Sequence, residues 1–325
     1  MIKYCDKTTE AIFARQRAII EIAVTHNQLT TFKDTNSTEH WCTLYKTFEK
    51  LYERVLNFEV RCDDVFLVGF IKCGNTWMNE ILWQLLNCLD LHYERNKDDH
   101  TKHFLEFNCW YPTLPDIILK FDQLQGRRLM QTHLPASLLP KQLWEKKPKI
   151  VYVARNVKDV VVSAYHFMQW MNSYSGSLNE FVQDFMDNNI IYTSFWAHIV
   201  EFWKLRHEPH IFFITYEEMK RDLAGVIKKL GVFLETPKLT EVELKKLLEH
   251  LSFKKMKVNK ETNPSFILQN NSNIPINANL DFMRRGIVGS YKDELTDELQ
   301  SKLNEWSRCF LEKHGIKEED IFGNF

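Results

Sequence analysis

The chain has 325 residues, enough for one large α/β core with insertions, and its 44% hydrophobic and 26% charged residues exclude a disordered or fibrous protein. A formal net charge of -1 gives no electrostatic reason for nucleic acid or an anionic membrane as partner, so any anion site must be local. Seven cysteines, at 5, 42, 62, 73, 88, 109 and 309, contain no CxxC pair, which fits neither a disulfide framework nor a zinc site.

The first residues reach acidic Glu10 before any apolar stretch, unlike a basic-then-apolar signal peptide. The strongest apolar run, Val65 to Ile71, is far shorter than the ~20 residues a membrane helix needs. A cytoplasmic protein with no membrane partner is the expectation.

In chain order, Ile12, Phe13, Ala14, Ile19, Ile20, Ile22 and Ala23 are spaced as one face of a helix over Glu10–Val24. A polar loop follows to His40, so residues 1–40 are expected as an N-terminal helix and extension, and 41–325 as the main domain. Val65–Phe70 is a continuous apolar run of strand length, as in a parallel sheet buried on both faces. The helix after it places Trp77, Ile81, Leu82, Leu85, Leu86 and Leu89 on one broad face. Strand and helix recur at Ile150–Ala154 with Val157–Trp170, and at Ile211–Thr215 with Glu217–Leu230. The fold class is therefore α/β, a single domain with a doubly wound parallel sheet flanked by helices on both faces. The Asn-, Ser- and Pro-rich stretch from about 258 to 281 reads as an irregular lid, and Leu295–His314 as a terminal helix.

In such sheets ligands sit beyond the carboxyl ends of the strands. Lys72-Cys73-Gly74-Asn75-Thr76 puts a cation, a glycine and a hydroxyl between strand and helix, where backbone N–H groups and the helix dipole favour phosphate. It lacks the order of a Walker A loop. Trp77 adds an indole able to stack on a base. Arg155, with Ser163 two helical turns on from Asn156, forms a second anion site at the neighbouring strand end. His133, in Leu129-Met130-Gln131-Thr132-His133-Leu134-Pro135, ends a further short strand.

Together these segments resemble the cytosolic sulfotransferases, from about Val65 to Lys292. The motifs that carry the resemblance are Lys72–Trp77, Phe104-Leu105-Glu106-Phe107, Thr132–Pro135, Tyr152–Asn156 with Lys158, Asp159 and Ser163, and Phe282-Met283-Arg284-Arg285-Gly286. The resemblance implies a P-loop-like phosphosulfate turn and the co-substrate 3′-phosphoadenosine 5′-phosphosulfate, with no metal. Lys72, Cys73, Gly74, Asn75, Thr76 and Trp77 then hold its 5′ end and adenine. Arg155, Ser163, Arg284, Arg285 and Gly286 hold the 3′-phosphate, Tyr216, Ser252, Phe253 and Met256 frame the adenosine, and Phe282 and Met283 belong to the same cofactor site. Lys254, Lys255 and Lys257 read instead as a solvated charge run.

The implied partner is a small lipophilic molecule with a hydroxyl, bound among Phe104, Phe107, Gln131, His133 and Phe167. His133 is the implied base and Lys72 the cation at the leaving oxygen. Several positions depart from the family's usual residues. Gln131 replaces a cation, Cys73 and Asn75 replace Ser and Thr, and Asp297 replaces an apolar residue of a dimerisation motif, which weighs against a homodimer by that route. Some insect relatives eliminate the sulfate they add, so dehydration is an alternative enzyme reading. A nucleotide-binding protein without turnover is another.

Overall fold

The computed structural model describes residues 2–6, 19–24, 41–91, 104–113, 115–269 and 276–323. Its centre is a four-stranded parallel sheet of β4 (Val65–Val68), β5 (Leu129–Thr132), β6 (Lys149–Ala154) and β7 (Ile211–Thr215), in the order β5-β4-β6-β7. The ladders align Val68 with both Thr132 and Tyr152, and Ala154 with Thr215, which brings all four carboxyl ends to one edge. All four residues of β4 are fully buried. Successive side chains point to opposite faces, so both faces of the sheet centre are covered, as its uninterrupted apolar run requires.

From β4 the chain crosses first to β5 on one side and then to β6 on the other. The reversal leaves a crevice beyond the ends of β4 and β6, the place where doubly wound sheets bind ligands. The helix Asn75–Leu86 packs on β4 and β5 through a face that includes Met78, Ile81, Leu82 and Leu85. The helix Val157–Trp170 starts at the sequence-predicted residue because the Asn156 side chain accepts from Lys158 N.

Elsewhere the boundaries move for local reasons. The helix expected over Glu217–Leu230 is two, Tyr216–Arg221 and Leu223–Leu234, divided where the Asp222 carboxylate accepts from Gly225 N at 2.8 Å and starts a new cap. The terminal helix is Asp297–Glu312, capped by Thr296, while Leu295 is buried. Within the expected lid lies a short helix, Pro264–Gln269. Residues 270–275 of that lid lie outside the described residues.

The N-terminal expectation is corrected. Ile19–Val24 is a strand, β2, paired antiparallel with β1 (Ile2–Asp6) and with β3 (Trp41–Tyr45). The β2–β3 ladder therefore crosses the expected boundary at residue 40. β-branched Ile19, Ile20, Ile22 and Val24 suit a pleated strand, and Ile20 and Ile22 face Leu44 and Cys42 in register. The first part of the expected helix, 10–18, lies outside the described residues.

Candidate active site

After β4 the chain turns through Gly69 to Gly74. A Cβ on Gly69 would lie 2.5 Å from Asn75 Oδ1 and 2.7 Å from the Val153 carbonyl oxygen, so no other residue fits under this turn. Lys72 and Gly74 both have positive φ, 64° and 104°, and their left-handed conformations curl the chain into the helix. Gly74 provides no side-chain cap, which leaves the first-turn N–H groups of the helix free of a competing side chain.

Cations gather around this turn. The Lys72 ammonium lies 3.8 Å from the ring centre of Phe282 and 4.6 Å from that of Phe167. Burial, then the charges of Arg155 and Arg284, push it down to about 7. Arg155, at the end of β6, donates to the Lys72 and Ile287 carbonyl oxygens at 3.2 Å each and lies 4.2 Å over the Tyr216 ring. Its Nε is buried without a hydrogen-bond partner. An unsatisfied guanidinium N–H at the mouth of an anion site is the arrangement a phosphate oxygen completes.

Tyr216, at the end of β7, meets Trp77 edge-on at 5.7 Å, and Trp77 donates to the Leu251 carbonyl at 3.0 Å. A Cβ on Gly74 would strike the Tyr216 ring at 2.6 Å. Ser252 caps the short helix Phe253–Val258, and Gly286, at φ 65°, lies against Phe253 so closely that a Cβ would approach it to 2.3 Å. These two close approaches leave aromatic walls for a flat ring. Arg284 is paired with Glu294, which also contacts His166 Nε2 at 2.5 Å, and Arg285 is paired with Asp293 at 2.6 Å. Asp159 accepts from Gly289 N, Ser290 Oγ and Tyr291 N and so fixes the loop that follows Gly286.

His133 follows β5. Its Nδ1 lies 2.6 Å from the Gly69 carbonyl oxygen, and since a carbonyl only accepts, Nδ1 carries the hydrogen and Nε2 the lone pair. Burial outweighs that hydrogen bond and, aided by the charges of His198 and Lys72, pushes the imidazole down to about 4. The ring is therefore neutral at pH 7, in the form that can accept a proton.

The remaining wall is apolar. Phe104, Phe107, Trp110, Tyr111, Phe167, Trp170, Met171 and Phe282 line the same cavity of about 600 Å³ as the turn after β4, with Gln131 and His133 among them. Phe282 packs edge-on against Phe167 at 5.8 Å and Trp170 at 5.3 Å. Among the described residues neither Asp nor Glu lines the cavity, whereas Lys72, Arg155, Lys220, Arg284 and Arg285 do. The space thus joins a cationic half to an aromatic half across Lys72 and His133.

A family model described as the sulfotransferase domain matches residues 62–316. The chain belongs to the sulfotransferase family. Sulfotransferase 1E1 of Rattus norvegicus is 35% identical, with 82% of this chain and 89% of the relative covered. Luciferin sulfotransferase of Photinus pyralis is 34% identical over 85% of this chain and 78% of its own. Among solved structures, retinol dehydratase in complex with androsterone and inactive cofactor PAP superposes with a TM-score of 0.79 over 98% of both chains at 21% identity, a likeness of fold.

In this sulfotransferase the cavity brings together every site residue expected from sequence except one. Cys73 is fully buried away from it, and its N–H already donates to the Phe70 carbonyl at 3.3 Å, so neither its thiol nor its amide faces the cavity. Asn75 lines the cavity, yet its Nδ2 is turned back to the same Phe70 oxygen at 2.8 Å. Lys254 and Lys255 are exposed and Lys257 pairs with Asp281, as a solvated run should. Among the described residues no helix is long and apolar enough to cross a membrane, and no group of three or more His, Cys, Asp or Glu could hold a metal.

Sequence reasoning missed Trp110, Tyr111, Trp170, Met171, Lys220 and Ser290. Trp170 had a signal: it lies three residues after Phe167 and seven after Ser163, on one helical face. It also missed Tyr192 and His198, which stand behind His133.

Proposed function

We propose that this sulfotransferase moves a sulfuryl group from 3′-phosphoadenosine 5′-phosphosulfate to the hydroxyl of a small, flat, lipophilic phenol or alcohol. The observation that carries this reading is the meeting, in one cavity, of an uncapped strand-to-helix turn, a neutral histidine and an aromatic wall with no carboxylate among the described residues. When bound, the donor supplies an activated sulfur–oxygen bond to a phosphate leaving group.

The residues fit that donor. The Lys72–Trp77 turn receives the 5′ end, with Trp77, Tyr216, Phe253 and Met256 around the adenosine. Arg155 with its unpartnered Nε, Ser163, Arg284 and Arg285 receive the 3′-phosphate. His133 Nε2 takes the acceptor hydroxyl proton as the acceptor oxygen bonds to sulfur. The sulfur–oxygen bond to the 5′-phosphate breaks at the same time, its electron pair stays on the phosphate oxygen, and the Lys72 ammonium neutralises that charge. A loose transition state of this kind gains chiefly from in-line positioning, which the rings around Lys72 and the hydrogen bond from His133 to Gly69 provide.

The test offers donor labelled in its sulfuryl group to panels of neutral phenols, steroids and other lipophilic alcohols, beside amine-bearing phenols of equal size. Label is expected on neutral acceptors, with the ammonium compounds poorer because only cations line the charged half. Nucleotide binding without transfer to any acceptor would show the protein to be a binder and not an enzyme.

A further inference from the structure

Every polar atom of His133 except Nε2 is held by a neighbour. The ring Nδ1 donates to the Gly69 carbonyl, the main-chain carbonyl accepts from His198 Nε2 at 3.1 Å, and the main-chain N–H donates to Glu106 Oε1 at 2.7 Å. Glu106 is fully buried in the apolar run Phe104–Trp110, where a carboxylate needs a reason to be. The reason is geometric. The ladder beyond β5 continues for one more step, with Leu105 N donating to the Gln131 carbonyl at 2.8 Å. At the next amide in line, His133 N–H, no backbone acceptor follows and the Glu106 side chain takes its place.

Glu106 has another donor. Thr132 Oγ1 donates to its second oxygen at 2.7 Å, and the Tyr192 side chain lies near enough to favour the charged carboxylate. Tyr192 in turn accepts from Trp110 Nε1 at 2.7 Å, and its ring stands edge-on to His133 at 5.4 Å. Trp110 lines the acceptor half of the cavity. Tyr192 therefore joins the wall of the acceptor half, through its hydrogen bond from Trp110, to the residue read as the base, through its edge-on contact with the His133 ring.

We propose that Glu106 is a positioning residue that sets His133 for proton transfer, and that Tyr192 couples this setting to Trp110 and hence to the acceptor. The proposal rests on the reading of His133 as the base. Glu106 does not line the cavity, so its effect on the reaction passes through His133. Misplacing a base by about 1 Å costs on the order of 100-fold in rate, and groups that act through one another are not additive.

The experiment is a double-mutant cycle in single-turnover sulfuryl transfer, with adenosine 3′,5′-bisphosphate affinity measured on each variant. Glu106→Gln keeps the side chain's size but puts an NH₂ where an oxygen accepted. It is expected to lower the turnover rate by about 10- to 100-fold with nucleotide affinity within about twofold, and to cost less than about twofold further in a His133→Ala background. A loss of the same size in both backgrounds, or full activity in a Glu106→Gln protein that binds nucleotide, overturns the positioning role. A fully active His133→Ala variant refutes the base itself, which separates the two failures. If Glu106→Gln does not bind nucleotide, Tyr192→Phe carries the same cycle. Its expected loss is roughly threefold to tenfold with His133 present and none without it, and no loss with His133 present overturns the coupling.

Discussion

The two ends of the parallel sheet treat their cations in opposite ways. At the amino end, Arg128 before β5 is buried against Asp64 before β4, with bonds of 2.7 and 2.6 Å to its carboxylate and further bonds to the Phe121 and Glu59 carbonyls. At the carboxyl end, Lys72 faces two phenyl rings and Arg155 keeps a buried N–H without a partner. The same strands thus carry a satisfied charge at one end and under-satisfied charges at the other. The satisfied pair holds strands together, and in the function proposed above the others are completed by an anionic ligand.

The contrast breaks most sharply at its structural end. Arg128→Met leaves the Asp64 carboxylate buried and unpaired, with an expected loss of about 3–5 kcal/mol of stability. Urea unfolding checks it, and the nucleotide affinity of the protein that remains folded should be unchanged. At the ligand end the order reverses. Lys72→Met removes the charge proposed to act at the leaving oxygen, with an expected fall of about 10²- to 10³-fold in turnover and little change in the unfolding midpoint.

Gly74→Ala forces a side chain into a left-handed position against the Tyr216 ring, at a cost on the order of 1–3 kcal/mol. The loss should appear in nucleotide affinity by calorimetry, since the added methyl presses the turn and the Tyr216 ring apart.

The smallest effects are in pH. Lys72 is charged below about 7 and neutral above it in the ligand-free protein. An anionic nucleotide favours the charged form, so binding should weaken as pH rises through 7. Lys72→Arg, charged throughout, should flatten that limb. His133 loses its proton-accepting form only as pH falls towards about 4. The acid limb of kcat/KM should therefore lie well below the ~6.5 of an ordinary histidine. Titrations of nucleotide binding and of initial rates against pH read both.

Legibility in the sequence followed the same division. The strands β4, β6 and β7 and the helix Val157–Trp170 could be read because apolar runs and periodicity are local. Ile19–Val24 could not, since its isoleucines fit a helical face as well as a strand and the partner that decides, Trp41–Tyr45, is distant in the chain. In the site, charged and glycine positions at strand ends were legible as motifs. Trp110, Tyr111 and Met171 were not, because residues that line an apolar cavity have the composition of the core. Glu106 was visible within its motif, but its role depends on a hydrogen bond across 27 positions. The burial of Cys73 depends on a turn bond that no pattern of residue types encodes.

The central claim is that His133 Nε2 takes the acceptor proton beside a nucleotide held by Lys72 and Arg155. Single-turnover transfer by His133→Ala, with adenosine 3′,5′-bisphosphate affinity measured on the same preparation, tests it most directly. The account predicts a rate about 10²- to 10⁴-fold lower with nucleotide affinity intact. Transfer at the wild-type rate would contradict it.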